Sequence, residues 1–128
     1  MAYLIDTDVA IHLRDGDAAV PARIAALDDA ILMSVVTRVE LEGGVYRDRA
    51  HAPTRRARLD VMLRAIPVLA FDDTAADAYG AIVAHAGYSR RKLLDRMIAA
   101  QALVHRATLV TMNGEDFADV AGLSALKW

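Results

Sequence analysis

Short continuous apolar runs alternate with segments of helical period along this chain, and that alternation limits its possible folds more than any other feature. Runs at 2–5, 31–34, 66–70 and 108–111 read as strands, with 125–128 as a short edge strand. Between them lie helix-period segments at 7–14, 20–27, 37–49, 54–65, 74–86 and 92–106. Strands that are apolar throughout, not alternately apolar and polar, belong to a sheet covered on both faces. Strand–helix alternation of this kind predicts an α/β fold: a central, mostly parallel sheet of four to five strands flanked by helices in an α/β/α sandwich. Asp28-Asp29 marks a turn before the second strand, and Pro67 suits either a strand start or an edge strand. Thr37, Thr54 and Thr74 are candidate helix caps. Gly43-Gly44 is awkward inside a helix and marks either a bend or a close packing contact. At 128 residues, without repeat, linker or low-complexity stretch, the chain is expected to form one domain over 1–128.

Composition removes several classes of function. With no cysteine, disulfides, thiolate nucleophiles and Cys-based zinc sites are excluded. The start has no basic segment, its apolar run is too short for a signal peptide, and no run approaches the roughly 20 apolar residues of a membrane span. A cytoplasmic protein with no membrane partner is expected. The net charge of −2 argues against broad electrostatic binding of nucleic acid. The basic residues are uneven, however. Arg55, Arg56, Arg58 and Arg64 read as a solvated helix face, whereas Arg90, Arg91, Lys92 and Arg96 surround Asp95.

Asp95 is one of four acids in apolar surroundings. Asp6 follows Tyr3-Leu4-Ile5, Glu40 lies in Val39-Glu40-Leu41, Asp95 in Leu94-Asp95-Arg96-Met97-Ile98, and Asp116 follows the fourth strand. Burying a carboxylate without a partner is costly. Each acid alone reads as a helix cap or first-turn acid, stabilised by the helix dipole. Together they point elsewhere, because parallel sheets bind ligands beyond the carboxyl ends of their strands, and Asp6, Asn113 and Asp116 all follow such ends.

Carboxylates gathered at one sheet edge repel one another unless a counter-charge is shared. Oxygen ligands without His or Cys select a hard dication, Mg²⁺ or Mn²⁺. Such an ion activates water and stabilises a phosphodiester undergoing attack, which is the chemistry of a metal-dependent nuclease. On the residues alone, another metal-dependent phosphohydrolase stays open as an alternative. It would use Asp6-Thr7-Asp8 with a well-placed Lys.

Tyr3-Leu4-Ile5-Asp6-Thr7-Asp8, Ser34-x-x-Thr37-x-x-Glu40-Leu41, Asp95-x-x-Ile98-Ala99-Ala100 and Leu109-Val110-Thr111-x-Asn113-x-x-Asp116-Phe117 occur in the order and spacing of PIN-domain proteins. Over nearly its whole length the chain resembles the VapC toxins of bacterial VapBC toxin–antitoxin pairs. The resemblance implies a single PIN-like domain that hydrolyses RNA with Mg²⁺ or Mn²⁺ and metal-activated water, leaving a 5′-phosphate. It implies that Asp6 and Asp95 are the principal metal ligands, with Glu40 and Asp116 binding directly or through water. Thr7, Asp8, Thr111 and Asn113 would support the site; Asp8, often Asn in the family, either adds a carboxylate near the metal or, the favoured reading, caps the first helix. The resemblance also implies a VapB-type antitoxin partner and a homodimer. On the same resemblance a second alternative stays open: a catalytically inactive module acting only through antitoxin-linked operator binding. Arg90, Arg91 and Lys92 are candidate RNA phosphate contacts. Trp128 is expected to cover a sheet edge or core margin.

Overall fold

Each expected apolar run forms a strand in the computed structural model, which describes residues 1–17 and 19–128. The strands are β1 (Tyr3–Ile5), β2 (Ile31–Ser34), β3 (Val68–Leu69), β4 (Thr108–Thr111) and β5 (Ala125–Lys127). They pair in the order β3-β2-β1-β4-β5, every pairing parallel. The helices are α1 (Thr7–Asp15), α2 (Ala19–Ala25), α3 (Val35–Arg47), α4 (Ala52–Ala65), α5 (Asp73–Ala86) and α6 (Leu93–Val104).

Register explains why the strands are apolar on both faces. Leu4 aligns with Leu32 and Leu109, while Ile5 aligns with Met33 and Val110. Successive side chains point to opposite faces of a strand. Leu4 and Leu109 therefore pack with Ile82, Ile98 and Ala102, under α5 and α6. Ile5, Met33 and Val110 pack with Val9, Leu41, Leu59 and Met62, under α1, α3 and α4.

Helix α1 starts at Thr7 as expected, but α3, α4 and α5 start differently. β2 runs straight into α3, and Ser34, the last strand residue, is its N-cap, accepting from the Val36 amide at 3.0 Å. Thr37 lies inside the helix, completely buried. Asp72, not Thr74, caps α5 through the Ala75 amide at 2.9 Å. Helix α4 begins at Ala52, ahead of Thr54, with no side-chain cap. The third strand shrinks to Val68–Leu69 because Pro67 precedes it, although the Pro67 carbonyl still accepts from Met33 at 3.0 Å. As expected, this is an edge strand, and Asp28 and Asp29 form a bend before β2. At the opposite edge Trp128 packs on the core margin with the Arg23 guanidinium 5.4 Å above its ring.

One buried polar contact ties the sheet to α6. Gln101 is fully enclosed, accepts from the Ser34 hydroxyl, and donates to the carbonyls of Leu69 and Ala70, both at 3.1 Å. Gln101→Leu removes the partner of three polar groups at once. An unsatisfied buried group costs about 1–3 kcal/mol. Because Ser34 keeps its bond to Val36, a loss of about 2–4 kcal/mol is expected in urea unfolding.

Candidate active site

The topology brings the four acids to one edge of the sheet. Asp6 directly follows β1, and the loop carrying Asn113 and Asp116 follows β4, the neighbour of β1. Glu40 lies on α3, which leaves β2 on the other side of β1. Helix α6 leads into β4 and so runs back across the sheet, setting its first turn, with Asp95, at the carboxyl edge. Asp6, Asp8, Glu40, Asp95 and Asp116 line one hollow of about 160 Å³, with Thr7 and Asn113 between them and Ile11 and Phe117 as its apolar walls.

Asp6 is 4% exposed and held by both oxygens. Its Oδ1 accepts from the Val9 amide at 3.0 Å, which makes Asp6 the N-cap of α1, and its Oδ2 accepts from Thr111 Oγ1 at 2.5 Å. The Asn113 amide donates to Thr111 Oγ1 at 2.9 Å, fixing the threonine in turn. Thr7 Oγ1 donates to Glu40 Oε1 at 2.8 Å and lies 3.0 Å from the Thr37 hydroxyl. Asp8 does not cap the first helix. That position belongs to Asp6, and Asp8 sits in the first turn, where it accepts from Asn113 Nδ2.

No Lys or Arg among the described residues forms an ion pair with Asp6, Glu40, Asp95 or Asp116. The consequence shows at Asp95 and Asp6. The Asp95 carboxyl is pushed up to about 6, first by burial, then by the charges of Asp116, Asp6, Glu40 and Asp8. Burial also raises Asp6, against the lowering effect of its hydrogen bonds to Thr111 and Val9. Strongly perturbed acids in a cleft are a signature of functional sites.

The basic residues near Asp95 are arranged otherwise than expected. Arg96 is buried, with Nη1 on the Gly87 carbonyl at 2.6 Å and Nη2 on Asp119 at 2.9 Å. Lys92 also donates to Asp119, at 3.2 Å. Lys92 therefore serves an internal ion pair and is not a free rim cation, whereas Arg90 and Arg91 are exposed. Thr37, a cap candidate and a position of the second motif in the sequence, lies buried behind the hollow and touches it through Thr7.

The donor set fits a hard dication. Every charged group in the hollow is a carboxylate, and Asp6 keeps one lone pair on each oxygen after its two hydrogen bonds. As the side chains stand, no three acidic or His residues among those described are drawn into a closed ligand shell.

Comparison with known proteins agrees with this geometry. A family model described as PIN domain matches residues 3–123. The chain is 29% identical to the tRNA(fMet)-specific endonuclease VapC of Shigella flexneri, the alignment covering 100% of this chain and 98% of that protein. It is 24% identical to Ribonuclease VapC2 of Rickettsia felis, again covering 100% and 98%. Its fold superposes on the crystal structure of VapBC2 from Rickettsia felis bound to a promoter DNA fragment, with a TM-score of 0.87, 22% identity and coverage of 100% and 99%. No helix among the described residues is long and apolar enough to cross a membrane. The chain belongs to the PIN domain family and is similar along its whole length to VapC toxins.

Proposed function

We infer that this protein is a metal-dependent endoribonuclease, the toxin of a VapBC-type toxin–antitoxin pair, which hydrolyses RNA phosphodiesters. The observation that carries the reading is the meeting of Asp6, Glu40, Asp95 and Asp116, from four separate stretches of the chain, with Asp8 beside them, in one small hollow where no Lys or Arg among the described residues pairs with the four. Family membership and the ribonuclease names of its relatives support it.

Asp6 and Asp95 would be the principal ligands of Mg²⁺ or Mn²⁺, with Glu40 and Asp116 completing the set directly or through water. The chemistry such an ion would supply there is a lowered pKa for a bound water and neutralisation of charge on a phosphate oxygen. The chain's own work is orientation. Val9 and Thr111 fix both Asp6 oxygens, and Thr7 holds Oε1 of Glu40, leaving Oε2 without a bond to any described residue. Asn113 steadies Asp8 and Thr111 together. Exposed Arg90 and Arg91 offer cations to flanking phosphates.

A VapB-type antitoxin is the inferred partner, and an Arg or Lys from it would satisfy the acids of the hollow. Homodimerisation is part of the same reading. Val39 and Tyr46, seven residues apart on α3, present apolar surface on one face at 65% and 64% exposure.

The test is incubation with total RNA. Cleavage leaving 5′-phosphate ends is expected in Mg²⁺ or Mn²⁺ and none in EDTA. Undiminished cutting in EDTA, or turnover of a small phosphate ester with RNA left intact, would contradict the reading. Thr111→Val should lower cleavage about 10–100-fold, the usual loss when an outer partner of a ligand is removed, and raise the Mn²⁺ concentration needed for half-maximal rate.

A further inference from the structure

A second groove of about 490 Å³ opens from the acidic hollow, and the two share Thr7, Ile11 and Glu40. Its chemistry is the reverse of the hollow's. Beyond Glu40 it is lined by Arg14, Arg47 and Arg55, one from each of α1, α3 and α4, with Asp15 as the acid among them. Gly43 and Gly44 form its floor on α3.

Arg14 is 5% exposed, yet only its Nε is paired, to Asp15 at 3.0 Å. Neither of its Nη atoms bonds to a described residue, so a nearly buried guanidinium keeps donors available at the groove. Gly44 gives this guanidinium its room. A Cβ at Gly44 would lie 3.1 Å from Arg14 Nη1, and the Gly44 carbonyl accepts from Arg55 Nη1 at 2.9 Å. Helix α3 continues through both glycines, so of the bend and the close contact the contact applies at Gly44. A glycine inside a helix costs about 1 kcal/mol relative to alanine, and here Gly44 leaves room for the Arg14 guanidinium at the helix surface.

Glu40, Gly43, Gly44 and Arg47 recur at three-, four- and seven-residue spacing and therefore share one face of α3. At 1.5 Å per residue, Arg47 stands about 10 Å along the axis from Glu40. A chain seated in the acidic hollow and continuing along α3 meets cations next.

We propose that the Arg14–Arg47–Arg55 groove is a backbone-phosphate subsite that holds single-stranded RNA to one side of the scissile bond. The proposal rests on the ribonuclease reading above and identifies residues that would set the register of the strand. RNA fits better than an acidic protein segment because the groove is continuous with the hollow that would act on a phosphodiester.

The experiment measures binding of a short single-stranded RNA by fluorescence anisotropy, over a range of salt, with Asp6→Asn protein so that the RNA survives. Arg47→Glu, at an exposed position, should weaken binding at least tenfold at low salt. Arg47→Ala should lower the slope of log affinity against log salt by about 0.7, the value for one phosphate contact on a single strand. Arg64→Glu, an equal charge change at an exposed position outside the groove, should have little effect. Unchanged affinity and slope in both Arg47 variants would overturn the proposal. So would equal loss in Arg64→Glu, or loss of binding to an acidic peptide with RNA binding intact. Wild-type protein that leaves RNA uncut in Mn²⁺ would count against the ribonuclease reading instead, and the two failures are thereby separate.

Discussion

Asp6→Asn is expected to abolish RNA cleavage and leave the fold intact. The substitution preserves shape. Asn caps helices as well as Asp does, so the Val9 amide keeps its acceptor. The Thr111 hydroxyl, which donates to Asp6 in the wild type, can turn to accept from the new amide. What disappears is a charge buried at the base of the acidic hollow, where all four acids would be needed to hold the dication. Loss of an outer partner of a ligand costs about 10–100-fold, so removal of a principal ligand should exceed about 100-fold. Mapping cut ends on total RNA after brief expression of both proteins checks the first half, and a thermal melt checks the second. Equal cutting by both would remove Asp6 from the site.

Asp95→Asn should make the metal-free protein more stable while also abolishing cleavage. The Asp95 carboxyl moves from 3.8 to about 6, through burial and then the charges of Asp116, Asp6, Glu40 and Asp8. Holding it ionised therefore costs the folded chain up to about 3 kcal/mol. Below about pH 4 the folded and unfolded chains both carry the neutral acid and there is no cost. Between about pH 4 and 6 the unfolded chain ionises first, so stability falls as pH rises through that window, and above it the whole cost remains. Asn escapes it. In EDTA at neutral pH the variant should gain about 2–3 kcal/mol in urea unfolding, and the gain should vanish near pH 4. Added Mn²⁺ should stabilise the wild type and not the variant. A variant no more stable than wild type at neutral pH would mean that the carboxylates do not strain the fold.

Both predictions depend on residues that were legible before any coordinates. The strands were readable because a doubly covered sheet leaves no room for polar alternation, and the acids stood out because charge is rare beside such runs. What sequence could not supply was the identity of partners distant along the chain. Asp119 takes Lys92 and Arg96 across 27 and 23 residues, and nothing local marks either pair. Gln101 looks like an ordinary polar residue of a helix, yet it closes a contact with Ser34 across 67 residues. The caps were misread for a different reason: with no residues between β2 and α3, Ser34 must end a strand and start a helix at once. Asp8 lost its expected place because Asp6 caps the helix with one oxygen and keeps the other for Thr111. Here the cap and site readings of an acid, opposed in the sequence, describe one residue.

Titration calorimetry of the wild-type protein with Mn²⁺ near pH 6 is the most direct measurement. Uptake accompanied by proton release is predicted, because metal displaces the proton that Asp95 half retains at that pH, and Asp95→Asn should lose both signals. No heat of binding in the wild type, or uptake unchanged in the variant, would contradict a shared dication as the reason these four acids meet.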